Sequence, residues 1–460
     1  MKSIHFKSFF ITVLTVFGIV ACQSSQNLTQ PEAKSTVSAL SPLAVMFDTS
    51  TVFSSNITGF ALYDPVEDSM IYAQHEANYF TPASNTKLFT FYTGLKVLPD
   101  SLPALEYIIR GDSLIIWGTG DPSFLHPEFG VDTIYDFLKN SNREIYYSDA
   151  HFNDKRLGPG WAWDDYNYYY SAEKSPFPMY GNMVHFEVQE VEIQELAKTD
   201  EEFAISPGYF RSYISEMPEA DGPLLYRDVD ENSFEYKPEA DTITYTIAKP
   251  YHYTPELIVN LLADTLNKPV RYIEMEKPDS ARMLYSIPSD TAYKRMLQPS
   301  DNFIAEQLLY VAASQLDMPL QTSRVIEYMK KNYLADLPDE PQWADGSGLS
   351  RYNLFTPRSM IRLLEKISAE FTYDENLFAL LPAGGESGTI SNLYANRDGG
   401  SPYVFAKTGT LSNNHCLTGF LITKTGRTLL FSFMNNHYVT PTSVVQDEME
   451  KILWYIHENF

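Results

Sequence analysis

Pro82-Ala83-Ser84-Asn85-Thr86-Lys87 is the stretch on which the reading of this chain turns. Proline sits well in the first turn of a helix, and Leu88, Tyr92 and Leu95 follow at helical spacing. The stretch predicts a helix start with the Ser84 hydroxyl and the Lys87 amine three residues apart, on one face. An amine so placed can take the serine's proton, provided it is neutral. Free lysine titrates near ~10.4; burial, neighbouring cations and the positive end of a helix all lower that value. The pattern alone is a weak signal. A second Ser-x-x-Lys, Ser171 to Lys174, lies in an aromatic stretch just before Pro176, where a helix is disfavoured, and reads as a decoy.

Two other stretches carry chemistry. Ser300-Asp301-Asn302 offers a second hydroxyl and a side-chain amide at the start of an apolar helix; in isolation it reads as a plain N-cap. Lys407-Thr408-Gly409-Thr410 sets a cation and two hydroxyls on one strand edge, a group able to hold a substrate carboxylate. Glycine there would let a substrate backbone approach closely. This tripeptide too is duplicated, at Lys424-Thr425-Gly426. Lys407 falls inside a β-like run, 403–411, whereas Lys424 falls between two apolar runs, where a hairpin needs a glycine turn.

Around these stretches the chain alternates between strand and helix signals. Residues 57–73 pattern as a β-hairpin, 114–117 and 144–147 as strands, and 161–180 as an ordered, aromatic-rich loop. Helical periodicity covers 254–266, 302–313 and 443–457, and strands are expected at 403–411, 417–423 and 428–433. Residues 186–245, with acidic runs and short β-like pieces, look like a separate small module. Blocks of helices and antiparallel strands predict an α+β fold.

Ser-x-x-Lys, Ser-Asp-Asn and Lys-Thr-Gly, in that order, are the signature of penicillin-binding proteins and serine β-lactamases. Further pieces fit one subgroup: Gly118-Thr119-Gly120-Asp121-Pro122, Gly160-Trp161-Ala162-Trp163-Asp164-Asp165, Ser300 to Glu306, Asp345-Gly346-Ser347-Gly348-Leu349-Ser350-Arg351, Leu381-Pro382-Ala383-Gly384-Gly385 and Ser387-Gly388-Thr389. From about residue 55 to about 435 the chain closely resembles the class C low-molecular-mass penicillin-binding proteins, the D-alanyl-D-alanine carboxypeptidase/endopeptidase family.

The resemblance implies a transpeptidase-like antiparallel sheet with helices, carrying a large inserted two-domain module. Catalytic segments would be 41–95 and 283–460, one inserted domain 96–185 with 246–282, and a small β-rich domain 186–245. It implies Ser84 as nucleophile, Lys87 as its base, Ser300 and Lys407 as the proton path to the leaving amine, and Asn302 as the orienter of the substrate amide. Thr408, Gly409 and Thr410 would bind the leaving residue's carboxylate. Arg351 and Asp165 (or its neighbour Asp164) would read a diaminopimelate-type side chain. Substrates would be peptidoglycan stem peptides and covalent inhibitors β-lactams, with no cofactor. A serine β-lactamase and a non-catalytic peptidoglycan-binding protein are the rival readings; an intact Ser84, Lys87, Ser300 and Lys407 argue against the latter.

Composition sets outer bounds. With 44% hydrophobic and 14% aromatic residues the 460-residue chain can bury a large core. A formal net charge of −25 disfavours nucleic acid and anionic membrane surfaces as partners. The nine histidines are scattered and there is no His-Glu-x-x-His, so no metal site is signalled. Only Cys22 and Cys416 occur, which excludes a disulfide framework. Residues 1–21 look like a signal peptide with two lysines and a short apolar core, ending Ile19-Val20-Ala21-Cys22 like a lipobox. Cys22 is therefore expected to carry lipid, with 22–40 as a polar tether and the membrane met only through that lipid, on the periplasmic side of a bacterial envelope.

Overall fold

The computed structural model describes residues 41–130, 133–188, 203–216, 225–236 and 245–460; the signal-like segment, Cys22 and the tether lie outside them. The sheet that carries the candidate site has five antiparallel strands, in the order Val404–Leu411, Asn414–Ile422, Thr428–Asn436, Ile57–Asp64 and Ser69–Gln74. The two ends of the chain thus meet in one sheet, with Phe60 opposite Phe433 and Ala61 opposite Ser432. The hairpin expected at 57–73 and the three C-terminal strands are all present. Antiparallel sheets often leave one face wet, but here both are covered. Phe60, Leu62, Leu417, Leu421, Phe431 and Phe433 face a cluster with Leu43, Phe47 and the C-terminal helix Thr442–Asn459. Ala61, Cys416, Phe420, Leu430 and Met434 face the other way. There they meet the helices Lys87–Val97, Asn302–Gln315 and Pro357–Ser368. Burial on both faces explains why these strands read as nearly continuous apolar runs.

A second five-stranded sheet runs in the order Val270–Tyr272, Glu144–Ser148, Ser113–Gly118, Ser101–Arg110 and Arg282–Pro288. It is mixed: Glu144–Ser148 is parallel to both of its neighbours, the remaining pairs antiparallel. The helix Pro255–Leu266 packs on it through Leu257, Ile258, Leu261 and Leu262. That helix starts where the sequence places it: Pro255 opens the first turn, and the Thr254 hydroxyl accepts from Leu257 N at 3.1 Å. Two three-stranded sheets follow, Tyr245–Pro250 with Met183–Val188 and Phe203–Ser206, and Ile214–Glu216 with Phe234–Tyr236 and Leu225–Arg227. Phe186, Leu225 and Phe234 of these, with Phe210 of the short 3-10 helix Gly208–Tyr213, share one hydrophobic cluster with Tyr147 and Leu261.

One element differs from expectation where it matters most. The helix expected from residue 82 begins as a 3-10 turn, Ala83–Thr86, and becomes α-helical at Lys87. Ala83 takes a left-handed φ of 48°, which swings Ser84 out of the buried helix toward solvent.

Candidate active site

Ser84 is half-buried on this tight turn and Lys87 lies fully buried one turn later. The Lys87 Nζ is 2.9 Å from Ser84 Oγ, 2.6 Å from Asn302 Oδ1 and 2.7 Å from Ser347 O. A neutral amine has two N–H donors and one lone pair. The amide oxygen and the peptide carbonyl take the two donors, which leaves the lone pair for the serine hydroxyl. Burial pulls the Lys87 amine down to about 8, against the opposing pull of Asp345, Asp301 and Glu306.

Ser300 and Lys407 form a second hydroxyl–amine pair. Lys407 donates to Ser300 Oγ at 2.8 Å and to Thr408 O at 3.0 Å. It is also fully buried, and burial, then the charge of Lys87, holds it well below the ordinary lysine range. Ser300 sits at φ 67°, a conformation rare for a residue with a Cβ and found where a site demands it. The next residue, Asp301, caps the following helix by accepting from Ile304 N at 3.0 Å. The capping role and the Ser300 contact therefore belong to different residues of one tripeptide. Asn302 is clamped between Lys87 and the Tyr170 carbonyl, which its Nδ2 reaches at 2.9 Å.

Backbone contacts lock this arrangement. A Cβ on Gly409 would stand 2.2 Å from Pro82 O and 3.0 Å from Ser84 N. The room the glycine leaves is thus taken by the nucleophile turn and is not open to a substrate backbone; the expectation at this position is corrected in its physical reason. Asn85 donates to Lys407 O at 2.7 Å, tying turn to strand. On the other side Gly348, at φ 86°, passes so close that a Cβ would stand 1.9 Å from Ala83 O. Asp345 fastens its loop by accepting from Gly348 N, Ser350 N and Asn353 Nδ2 at 2.6–2.9 Å. Glu306, buried in the helix behind, accepts from Ser347 N at 2.8 Å. Burial and the neighbouring Asp345 push its carboxyl up to about 7. Sequence reasoning included Asp345 and Glu306 in the stretches that carry the resemblance but gave neither a role.

The site opens into a cavity of about 890 Å3 lined by Ser84, Ser300, Asn302 and Thr410, and by Asp164, Asp165, Tyr170 and Arg351. Asp165 accepts from the Tyr170 hydroxyl at 2.9 Å. Thr408 bonds Thr389 at 2.7 Å, and Thr410 bonds His415 Nδ1 at 2.8 Å. The duplicated motifs lie elsewhere. Lys174 is buried on Asp154 and Thr322, at 3.1 and 3.2 Å. Lys424 stands at the hairpin turn, paired with Asp398 and Glu458. Neither lines the cavity. Among the described residues no cluster of three or more His, Cys, Asp or Glu is placed to hold a metal ion.

Comparison with known proteins points the same way. The model of the D-Ala-D-Ala carboxypeptidase 3 (S13) family matches residues 45–455. The D-alanyl-D-alanine carboxypeptidase DacB of Haemophilus influenzae is 26% identical over 427 residues, covering 84% of this chain and 86% of that protein. Among solved structures, penicillin binding protein 4 from Haemophilus influenzae superposes with a TM-score of 0.71 at 20% identity, covering 91% of this chain and 100% of the other. The same protein complexed with a β-lactam gives 0.66 at 19% identity, with coverage of 91% and 100%. With a family match over nearly the whole described chain, this protein belongs to the D-Ala-D-Ala carboxypeptidase 3 (S13) family of serine peptidases.

Proposed function

We propose that the chain hydrolyses the D-alanyl-D-alanine bond at the end of peptidoglycan stem peptides, and the D-centred bond of a cross-link, through an acyl-enzyme on Ser84. The observation that carries this is the Lys87 amine, with both donors engaged and its remaining contact on Ser84 Oγ at 2.9 Å. Ser84 attacks the carbonyl of the penultimate D-alanine as Lys87 takes its proton. The developing oxyanion meets the backbone N–H groups of Ser84 and Thr410; the close approach of Gly409, the residue before Thr410, to Ser84 N supports this reading. The leaving amine receives a proton through Ser300, hydrogen-bonded to Lys407. Thr408 and Thr410, backed by Lys407, hold the leaving carboxylate. Water then cleaves the ester. Both bond types leave a free carboxylate on the departing D-residue, so one pocket serves carboxypeptidase and endopeptidase. β-Lactams enter the same path and stall as acyl-enzymes.

Covalent labelling by fluorescent penicillin tests the assignment. Ser84→Ala should lose the label and Ser171→Ala should keep it; a label that survives Ser84→Ala sinks the reading. In the same proposal the protein works in the bacterial envelope, held by lipid on Cys22. Cys22→Ala should then release it from the membrane fraction, and unchanged fractionation would count against the anchor.

A further inference from the structure

Four exposed aromatic rings lie on the two segments that line the cavity, and one of them, Tyr169, lines it. Trp163 is 80% exposed, Tyr169 70%, Tyr352 65% and Tyr168 52%. Trp163 is flanked in sequence by Ala162 and Asp164, which line the cavity, and Tyr352 follows the cavity residue Arg351. The two segments touch: Arg351 N donates to Gly160 O at 3.3 Å, and a Cβ on Gly160 would meet the Tyr352 ring at 2.8 Å. Trp163 is also the one strongly exposed tryptophan; Trp117 and Trp343 are buried, and Trp161 donates to Asp345 at 2.9 Å.

The backbone beneath these rings is anchored, so they form a preset surface. Tyr168 stacks on Tyr170 at 5.4 Å with planes 4° apart. The Asn167 side chain accepts from Arg227 N and its carbonyl from the Lys249 amine, both at 3.0 Å. Exposed aromatic area concentrated at a cleft mouth marks a binding surface.

We propose that the Trp163–Tyr169–Tyr352 rim docks the pyranose rings of the amino-sugar strand that bears the stem peptide. The proposal rests on the peptidoglycan reading above and extends it. Flat aromatic rings match the C–H faces of pyranoses and their N-acetyl methyls, and the neighbouring Asp164 can accept from sugar hydroxyls. An anionic bilayer is the poorer occupant, because Asp164 and Asp165 beside the rings and a net charge of −25 repel it.

The test uses the double variant Trp163→Ala/Tyr352→Ala; both side chains are exposed, so folding is retained. Peptide-free glycan strands are titrated into the wild type and the double variant by isothermal calorimetry, a readout that does not depend on Trp163 as reporter. A saturable change is expected, shifted at least about tenfold to higher concentration or lost in the double variant. In parallel, kcat/KM is compared for a disaccharide-pentapeptide and the free pentapeptide. The wild type should prefer the sugar-bearing substrate about tenfold, mainly in KM, and the variant should lose the preference while keeping free-peptide turnover. A flat glycan titration overturns the rim proposal, as does equal treatment of the two substrates by the wild type. So does rim-dependent binding to phosphatidylglycerol vesicles in place of glycan. Saturable glycan binding without cleavage of either peptide would instead leave the rim standing and overturn the hydrolase reading.

Discussion

Lys87 is the residue on which the chemistry turns, and its protonation sets a pH limit. Its value of about 8 means that the amine is mostly charged at neutral pH and gains its lone pair as pH rises. kcat/KM for peptide should therefore climb through about pH 8 and fall about tenfold per unit below it. Glu306 contributes to this limb, because its carboxylate favours the charged amine. Glu306→Gln keeps an acceptor for Ser347 N while removing the charge, so the limb should move to lower pH; a limb that stays put would show that Glu306 acts by shape alone. Ser84, Lys87, Ser300, Asn302 and Lys407 were legible because their order and spacing carry information; Glu306 was not, because its partner is a backbone N–H 41 residues on. A signal for it did exist. It is the one acidic residue in the stretch from Phe303 to Ala313, where only Gln307 and Tyr310 are otherwise polar, and a buried charge there needs a reason.

The elements that carry the site were read well where both faces are buried, and poorly where a proline or a wet face breaks the pattern. Ser101–Arg110 contains Pro103 and escaped notice. The structure accommodates it at an irregular register against Arg282–Pro288, between Leu284 and Tyr285. The helices Thr322–Asn332 and Pro357–Ser368 were also passed over, although Pro357 in the first turn and the Thr356 cap mark the second clearly. At this scale Gly409 gives a sharp prediction. Gly409→Ala drives a methyl into Pro82 O, Asn85 N and Ser84 N, all backbone, so strand and turn must part. Such overpacking costs about 1–3 kcal/mol, and a displacement near 1 Å at the nucleophile costs about 10²-fold in acylation rate. Lys424→Ala on the neighbouring hairpin should leave acylation unchanged, while Lys407→Ala lowers kcat/KM at least about tenfold. The reverse pattern would place the carboxylate pocket on the wrong strand.

For the molecule as a whole, linear order conceals which parts meet. The chain runs out along Ser101–Arg110 and returns along the adjacent antiparallel strand Arg282–Pro288, so a long excursion begins and ends at one place. The excursion is stitched back to the catalytic helices. Gln307 bonds Gly120 O, Ser175 O and Ser175 N, and Trp161 bonds Asp345. One wall of the cavity therefore comes from the aromatic segment, with Asp165, and another from the Asp345 loop, with Arg351. If these walls read the zwitterionic end of diaminopimelate, Arg351→Ala should raise KM for diaminopimelate peptides about tenfold or more, and for diacetyl-lysyl-D-alanyl-D-alanine much less. Equal effects on both would refute the specificity role. No sequence periodicity could have shown that both line one cavity, since the two residues lie far apart, Asp165 on the short 3-10 helix Trp163–Asn167 and Arg351 in a turn; only the family resemblance named them together.

The nucleophile turn is wedged between two glycines, Gly409 on one side and Gly348 on the other. The floor of the site is thus peptide backbone pressed on peptide backbone, and no point substitution can reshape it without tearing it open. The walls are side chains. We expect that escape from β-lactam antibiotics through this site follows that division: a saturation library grown under drug should yield survivors altered at Asp165, Tyr169 or Arg351 and none at the two glycines. A survivor carrying a bulkier residue at either glycine would mean the floor is more pliable than its contacts imply. Drug and substrate share the floor, so selection can separate them only along the rim.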